Sequence, residues 1–449
     1  MKSNVSKMTE GSPFKLLIGF TIPMLIGNLF QQLYNMVDSI VVGQYVGSDA
    51  LGAVGATGSI NFFFFSATFG MSAGTGIIAA QYFGARDDVN LQKTITNAIY
   101  AIGSISLVMS LIGIVFARPI LVFLDTPEKI LDDSVTYMQV TCAGILAVAA
   151  YNGISAIIRA LGDSKTPLIF LVVASVINVV LDLVFVIVCK WSVFGVAFAT
   201  IIAQISAAIG CIFYAYKKIP YFKIPREYYR PDKALIGKCI RIGIPVALQN
   251  SLIAISCIAL QKVVNGFGEL VVSANTAAGR FEQLVQQPFT SLGTAVVTYT
   301  GQNMGAGQID RVKKGFRVAT LICLVFSLIM LPVAYFGAEF IMRLFVSEPE
   351  VIAIGVKALR ITSFFYFALG MIYVSRSVLN GAGDASAAML NGAVEVVGRV
   401  GFAKPLTMIP GVGMLGIWYT TGLTWTLTAL ISCIRYFSGK WKTKAVVGR

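Results

Sequence analysis

Histidine is absent from the 449 residues, and only 12% of them are charged, about half of the ~25% usual in soluble domains. Without histidine there is no Ser-His or Cys-His nucleophile pair, no imidazole metal ligand and no histidine proton relay. The seven cysteines, Cys142, Cys189, Cys211, Cys239, Cys257, Cys323 and Cys433, are scattered with no C-x-x-C, most of them inside apolar runs. They read as small packing residues rather than a disulfide framework. The shortage of charge meets a chain that is 56% hydrophobic, with a mean hydropathy of +0.78. So few charges cannot cover that much apolar surface, which excludes a soluble globule and a disordered chain alike. The class that remains is a polytopic membrane protein.

The net charge of +14 does not point to nucleic acid, because the basic residues lie between hydrophobic runs and no long basic tail stands free. Twelve runs are legible, near 14–39, 52–81, 95–117, 134–158, 168–189, 194–216, 235–263, 274–300, 316–337, 351–379, 386–408 and 414–437. Each is close to or above the ~20 residues that a helix needs to cross a bilayer. They are too long and too continuously apolar for barrel strands, so the fold class is all-α. The first run holds Pro23, Asn28, Gln31, Gln32 and Asn35 and has no small-residue cleavage site, so it is expected to be a retained helix. Both termini and the even-numbered loops carry 24 Lys and Arg, and the odd loops carry 8. That bias places both termini in the cytoplasm of a multi-pass protein of the plasma (inner) membrane. The most basic stretch, from Lys217 to Arg241, falls almost at the midpoint. The expected division is 1–13 cytoplasmic N-terminus, 14–216 first lobe, 217–234 basic cytoplasmic linker, 235–437 second lobe and 438–449 cytoplasmic tail.

The two halves repeat. Gln81-Tyr-Phe-Gly84-Ala85 answers Gln302-Asn-Met-Gly305-Ala306, and Gly162-Asp163 answers Gly383-Asp384, both at an offset of 221. Gly195 with Thr200, and Gly47, answer Gly416 with Thr421, and Gly268, at the same offset. Ile22-Pro23 and Asn28 answer Ile244-Pro245 and Asn250 at 222. Six helices per half give repeats of like orientation, related by a pseudo-twofold axis along the membrane normal, with substrate expected between them.

Acids are rare inside the runs: Asp38, Asp182, Glu282 and Glu395. A carboxylate in a membrane helix costs about 2.5–3.5 kcal/mol on insertion scales, so it tends to face a cavity and have a partner. A structural polar contact between helices is the plainer alternative. Asp38 shares helical spacing with Gln31, Tyr34 and Asn35, and Asp182 shares a face with Asn178 at i, i+4. Two carboxylates, an amide and a nearby hydroxyl suit a sodium ion. Equally, the two acids suit one shared proton.

Gly19-Phe-Thr-Ile-Pro23, Asn35-Met-Val-Asp38-Ser-Ile-Val-Val-Gly43, Gln81-Tyr-Phe-Gly84-Ala85, Arg159-Ala-Leu-Gly162-Asp163-Ser-Lys165-Thr-Pro167 and Asn178-Val-Val-Leu-Asp182, in this order on a duplicated twelve-helix frame, resemble the multidrug and toxic compound extrusion (MATE) family from about residue 14 to 437. The resemblance implies two six-helix lobes in a V shape around a central cleft, and an exporter coupled to a cation. It implies that Asp38 is the coupling acid, with Asn178, Asp182 and Thr200 as partners for H+ or Na+, and no other cofactor. The counterparts of Asn178, Asp182 and Thr200 in the second half are Arg399, Ala403 and Thr421, and that of Asp38 lies near Leu260. A site of this kind therefore belongs to the first lobe alone. The acids that some members carry on helices 7 and 10 fall near Ile253 and Leu369 here, so a second-lobe sodium site is not expected.

Gln31, Tyr34, Asn35, Glu282 and Glu395 are the candidates for the substrate cleft. Glu395 and Arg399 stand at i, i+4, where they can neutralise each other, and Glu282 follows Arg280, near an expected membrane surface. Of Phe62–Phe65, at least half must face lipid or core, because four consecutive residues point all round a helix. Gly411-Val-Gly413-Met-Leu-Gly416 spells G-x-G-x-x-G but follows no soluble strand, so a dinucleotide site is set aside. The sequence thus predicts a secondary active antiporter exporting cationic or amphipathic toxic compounds in exchange for H+ or Na+. A flippase of lipid-linked precursors is the alternative, and an enzyme is not expected. The expected partners are small molecules and the bilayer, without nucleic acid, and the expected state is a monomer.

Overall fold

The computed structural model describes residues 5–447; the ends of the expected termini, 1–4 and 448–449, lie outside the described residues. Among the described residues every regular element is helical. The first half contains α1 (Pro13–Val41), α2 (Ser48–Ala85), α3 (Asp88–Val115), α4 (Ala117–Phe123), α5 (Glu128–Ala143), α6 (Ile145–Ala160), α7 (Lys165–Leu183) and α8 (Ser192–Lys218). The second contains α9 (Lys233–Asn265), α10 (Glu269–Gly305), α11 (Ile309–Phe336), α12 (Ala338–Arg343), α13 (Pro349–Ser363), α14 (Tyr366–Gly381), α15 (Ala385–Met408) and α16 (Gly416–Phe437). From α2 to α6, each element begins 221 residues before its counterpart in α10 to α14.

These sixteen helices make twelve rods, because α5 with α6 and α13 with α14 are bent pairs, at 41° and 50°, and α4 and α12 are short connecting turns. Seven of the rods are long and apolar enough to cross a membrane by themselves, and the bent pairs bring the number to nine. The other three, α10, α15 and α16, have the length and fall short in apolarity. Helix α10 carries Arg280 and Glu282, α15 carries Glu395, Arg399 and Lys404, and α16 carries Thr420, Thr421, Thr424, Thr426 and Thr428. Outward faces elsewhere are apolar, as on α3, where Ile99, Leu111 and Val115 are all exposed.

By packing, the chain forms two compact units. Unit 1 comprises Met1–Thr9, Ile22–Leu248 and Val446–Arg449; unit 2 comprises Glu10–Thr21 and Gln249–Ala445. The basic segment 217–234 lies within unit 1, whose boundary with unit 2 falls inside α9 after Leu248. On α2, Gly70 and Gly74 face Ala247 and Gly243 of α9 so closely that a methyl group added to Gly70 would lie 2.5 Å from the Ala247 nitrogen. Added to Gly74, it would lie 2.7 Å from the Gly243 nitrogen. This is a small-x-x-x-small crossing on both helices, in which backbone meets backbone. The start of α9 is therefore part of unit 1, just as Glu10–Thr21, which opens α1, is part of unit 2.

The basic segment has short regular structure of its own. Short 3-10 turns at Pro220–Phe222 and Arg226–Tyr229 lie against α3. The Gly411–Gly416 stretch is a turn followed by one 3-10 turn between α15 and α16, which disposes of the dinucleotide motif.

Candidate functional site

In unit 1, α1 and α7 each run without interruption into a π-helical turn, Val42–Val46 and Val184–Val188. π-turns inside helices mark functional sites often. Asp38 stands four residues before the first and Asp182 two before the second. The corresponding stretches of α9 and α15 contain no such turn. The valines at these ends pack together. Val41, Val42, Val186, Val193 and Val196 form one buried cluster, with Val37 and Tyr137 against it. This makes an apolar wall at one end of the two aspartates.

Asp182 is fully buried and Asp38 half-buried. Their carboxyl groups lie side by side, within hydrogen-bonding reach of each other. Oδ1 of Asp38 and both oxygens of Asp182 are met by no hydrogen-bond donor. One turn before Asp182, the Asn178 side chain donates from Nδ2 to Thr200 Oγ1 at 3.4 Å, and its buried Oδ1 has no partner. Thr200 in turn donates to the Val196 carbonyl at 3.1 Å. The donors of this group are thus spent on neighbours, while its acceptors stay free. A small cavity lined by Tyr34, Ser175, Asn178, Thr200 and Gln204 adjoins it, and Gln204 Oε1 is a further unpartnered acceptor. A concentration of free oxygen acceptors in an apolar setting suits a hard cation or a proton and repels an anion. Among the described residues no three His, Cys, Asp or Glu side chains come together as a metal site.

The sequence candidates therefore fall into separate groups. Asp38, Asn178, Asp182 and Thr200 are together in unit 1. Tyr34 joins them from α1, with the exposed Gln31 in hydrogen-bonding reach of it, while Asn35 is exposed and outside the cluster. Glu282 and Glu395 are in unit 2. Glu395 forms an ion pair with Arg399 at 3.5 Å, both side chains more than nine-tenths buried. Arg399 also donates to Ser256 Oγ, and to Cys257 Sγ at 2.9 Å. Glu282 follows Arg280 in the middle of α10. It packs beside Thr362 and Arg399, and its buried Oε1 has no partner. The face of α10 that carries it turns inward, whereas a linear reading sees only the neighbouring charge. Arg399 is the repeat counterpart of Asn178, so a fixed cation stands where unit 1 has a free acceptor.

Three contributors escaped sequence reasoning. Tyr137 on α5 lies close enough to feel both aspartates, and nothing in its surroundings along the chain marks it. Ser175 and Gln204 had a signal: they stand one turn from Asn178 and Thr200, at i−3 and i+4.

Comparison with known proteins follows the same lines. The family model described as MatE matches residues 23–184 and 245–403. A protein of Bacillus subtilis (strain 168) named "Probable multidrug resistance protein YpnP" is 33% identical over 441 residues, covering 97% of each chain. "Probable multidrug resistance protein NorM" of Thermotoga maritima is 22% identical over 97% of this chain and 94% of its own. Among solved structures, a MATE protein crystallised in a bent conformation superposes with a TM-score of 0.91 at 21% identity, covering 100% of both chains. A transporter of the MOP superfamily from Pyrococcus furiosus, described as having a binding pocket of reverse polarity, gives 0.89 at 23% identity, covering 99% of this chain and 100% of its own. With matched repeats, apolar spans and a relative of this closeness along its whole length, the chain is a multi-pass membrane protein and belongs to the MatE family of transporters.

Proposed function

We propose that the protein is a secondary active antiporter that exports cationic or amphipathic toxic compounds in exchange for a proton or a sodium ion. The observation that carries this reading is the Asp38–Asp182 pair, with three of its four carboxyl oxygens lacking any donor. Two adjacent carboxylates in an apolar setting repel each other strongly and need a counter-charge, which a proton or a small cation supplies. Asn178 Oδ1 and the Thr200 hydroxyl complete an oxygen set that fits sodium, and the same pair sharing one proton fits H+ coupling.

Coupling follows from where the two acids sit. Asp38 belongs to α1 and Asp182 to α7, so a counter-charge between them draws the helices together just before their π-turns, and its departure drives them apart. This is an element with two arrangements that an ion biases. If drug binding favours the ion-free arrangement, ion and drug oppose each other reciprocally. Gln31 and Tyr34 are the neighbours on α1 that an incoming substrate meets. In unit 2 the Glu395 charge is offset by Arg399, which leaves Glu282 as the carboxylate available to a cationic compound. The relatives' names, multidrug resistance and multidrug export, make drugs the first class to try. The charge bias of the loops supports an inner-membrane protein with both termini in the cytoplasm; a monomeric state with no further cofactor is part of the same proposal.

The test is purified protein in liposomes, with uptake of a fluorescent cation driven by a pH gradient or a sodium gradient, one at a time. One of the two gradients should drive uptake, and Asp38→Asn should abolish it. Equal uptake with neither gradient, or wild-type gradient-driven uptake by Asp38→Asn, refutes the reading. Scrambling of a fluorescent lipid by the same vesicles favours the flippase alternative.

A further inference from the structure

Unit 1 has a second cavity, remote in composition from the cluster around Asp38. It lies among α3, α6 and α8 beneath the segment that joins α8 to α9, and its volume is about 400 Å3, within the ~300–1,000 Å3 of small-molecule sites. Its walls include Ile99, Ile102, Ala150, Ile154, Ile212 and Tyr216, and no charged residue lines it. Ile99, Ile212 and Tyr216 are exposed on the same outer, apolar surface as Leu111, Ile209 and Phe213. The mouth therefore opens to the hydrocarbon of the bilayer, not to water.

The roof is built rather than draped. Phe222, Ile224 and Tyr229 cover the cavity. Thr96 donates to the Tyr228 carbonyl and Tyr100 to the Tyr229 carbonyl, each at 2.6 Å. Asn97 Oδ1 accepts from the Asp232 N–H at 2.7 Å, and Gln92 donates to the Lys223 carbonyl at 3.4 Å. This roof carries Lys217, Lys218, Lys223, Arg226 and Arg230, all exposed, against two acids, Glu227 and Asp232, with Asp88 of α3 near Tyr221. Among the described residues none of the five cations is in an ion pair. The Lys217 ammonium lies 4.2 Å above the exposed Phe213 ring, at the bilayer-facing rim.

The repeat shows that such a space is not obligatory. At the counterpart of Ile95, which lines the cavity, the second half has Phe316. Its ring stacks on Tyr436 at 3.8 Å, and Tyr436 stacks on the buried Trp441 at 5.5 Å. Protein rings fill there what the first half leaves open.

We propose that unit 1 holds an anionic phospholipid, with an acyl chain in this cavity and its phosphate against the basic residues of 217–230. Charge complementarity selects this occupant. A neutral lipid leaves the unpaired cations unanswered, and a free anion leaves the apolar cavity empty. Basic residues beside crevices between membrane helices are a known basis of anionic-lipid recognition. The proposal goes beyond transport and is independent of the coupling ion.

Tyr216→Trp, at an exposed position on the cavity wall, supplies a reporter. The variant is reconstituted in phosphatidylcholine vesicles containing either phosphatidylglycerol or phosphatidylcholine with brominated chains, at equal fractions, and quenching is corrected by that of the parent protein. Brominated phosphatidylglycerol should be preferred about fivefold or more, the factor expected from even one Lys or Arg on the phosphate. Lys223→Gln, Arg226→Gln and Arg230→Gln together, all at exposed positions, should abolish the preference. Ala150→Phe, filling the cavity from its exposed wall, should lower quenching by both lipids, and phosphatidylglycerol retained on the purified protein by native mass spectrometry should fall with it. Equal quenching by the two lipids, or a preference that survives the triple substitution, overturns the proposal. Relief of quenching by inorganic phosphate alone assigns the charges to a free anion and overturns it too.

Discussion

The crossing of α2 and α9 inside unit 1 offers a test in which one chemical change has two signs. Gly237 on α9 has open space where a Cβ would be, so Gly237→Ala gains only the helix propensity, about 1 kcal/mol. Gly70→Ala gains the same amount and then collides with the nitrogen, Cα and Cβ of Ala247 at 2.5–2.6 Å. Gly74→Ala meets the nitrogen and Cα of Gly243 at 2.7 and 2.8 Å. These are mostly backbone atoms of a helix, which no rotamer change can move aside, so α9 itself must shift. Overpacking of this kind costs about 1–3 kcal/mol; with backbone atoms met below 3 Å the upper part of that range applies, and after the propensity gain of about 1 kcal/mol a net loss of roughly 1–2 kcal/mol remains. In domains of 150–250 residues each kcal/mol moves Tm by about 2–4 °C. Tryptophan-fluorescence melts in one detergent should therefore show Gly237→Ala slightly above the parent and both Gly70→Ala and Gly74→Ala below it by a few degrees. Equal upward shifts in all three variants refute the close crossing.

Asp182→Asn should leave a folded protein with no gradient-driven uptake in liposomes, whereas Asn178→Ala and Thr200→Ala should retain uptake at about a tenth of the parent's ion affinity, the ~1.4 kcal/mol expected of a lost ligand. Glu395→Gln should destabilise unit 2 by about 3–5 kcal/mol, because it strands the buried Arg399 guanidinium, and adding Arg399→Met should recover most of that loss; thermal melts of the single and double variants decide. Lys223→Cys and Arg230→Cys, both at exposed positions, should react with an impermeant thiol reagent only in opened or inside-out membranes, measured against the parent's own exposed Cys189 and Cys257; labelling of intact cells reverses the topology.

Much of this molecule is legible in the amino-acid order, for identifiable reasons. Spans are written in long apolar runs, and the 221-residue offset is visible because Gly, Pro and acidic punctuation is spared at equivalent points. Asp38, Asn178 and Asp182 stand out because polar groups are conspicuous against hydrocarbon. Illegible were the features that depend on a partner element. Nothing local distinguishes the bend after Ala143 from a straight helix, and Val42–Val46 and Val184–Val188 look like ordinary ends of a span until their π-turns pack on each other. Tyr137 reaches the aspartates only through the placement of α5. From the sequence Glu282 shows only its neighbour Arg280, whereas α10 continues past it to Gly305 and sets it beside Thr362 and Arg399.

The exchange of first turns between the units bears on how the chain is made. Unit 2 is incomplete without Glu10–Thr21, a segment synthesised before almost everything else in the protein, and unit 1 is incomplete without the opening of α9. A ribosome that has delivered only the first half has therefore produced a bundle still waiting for its last helix segment, and an N-terminal stretch whose place does not yet exist. Cutting the gene at the basic segment yields two fragments that each lack a piece held by the other, so they should accumulate only when produced together.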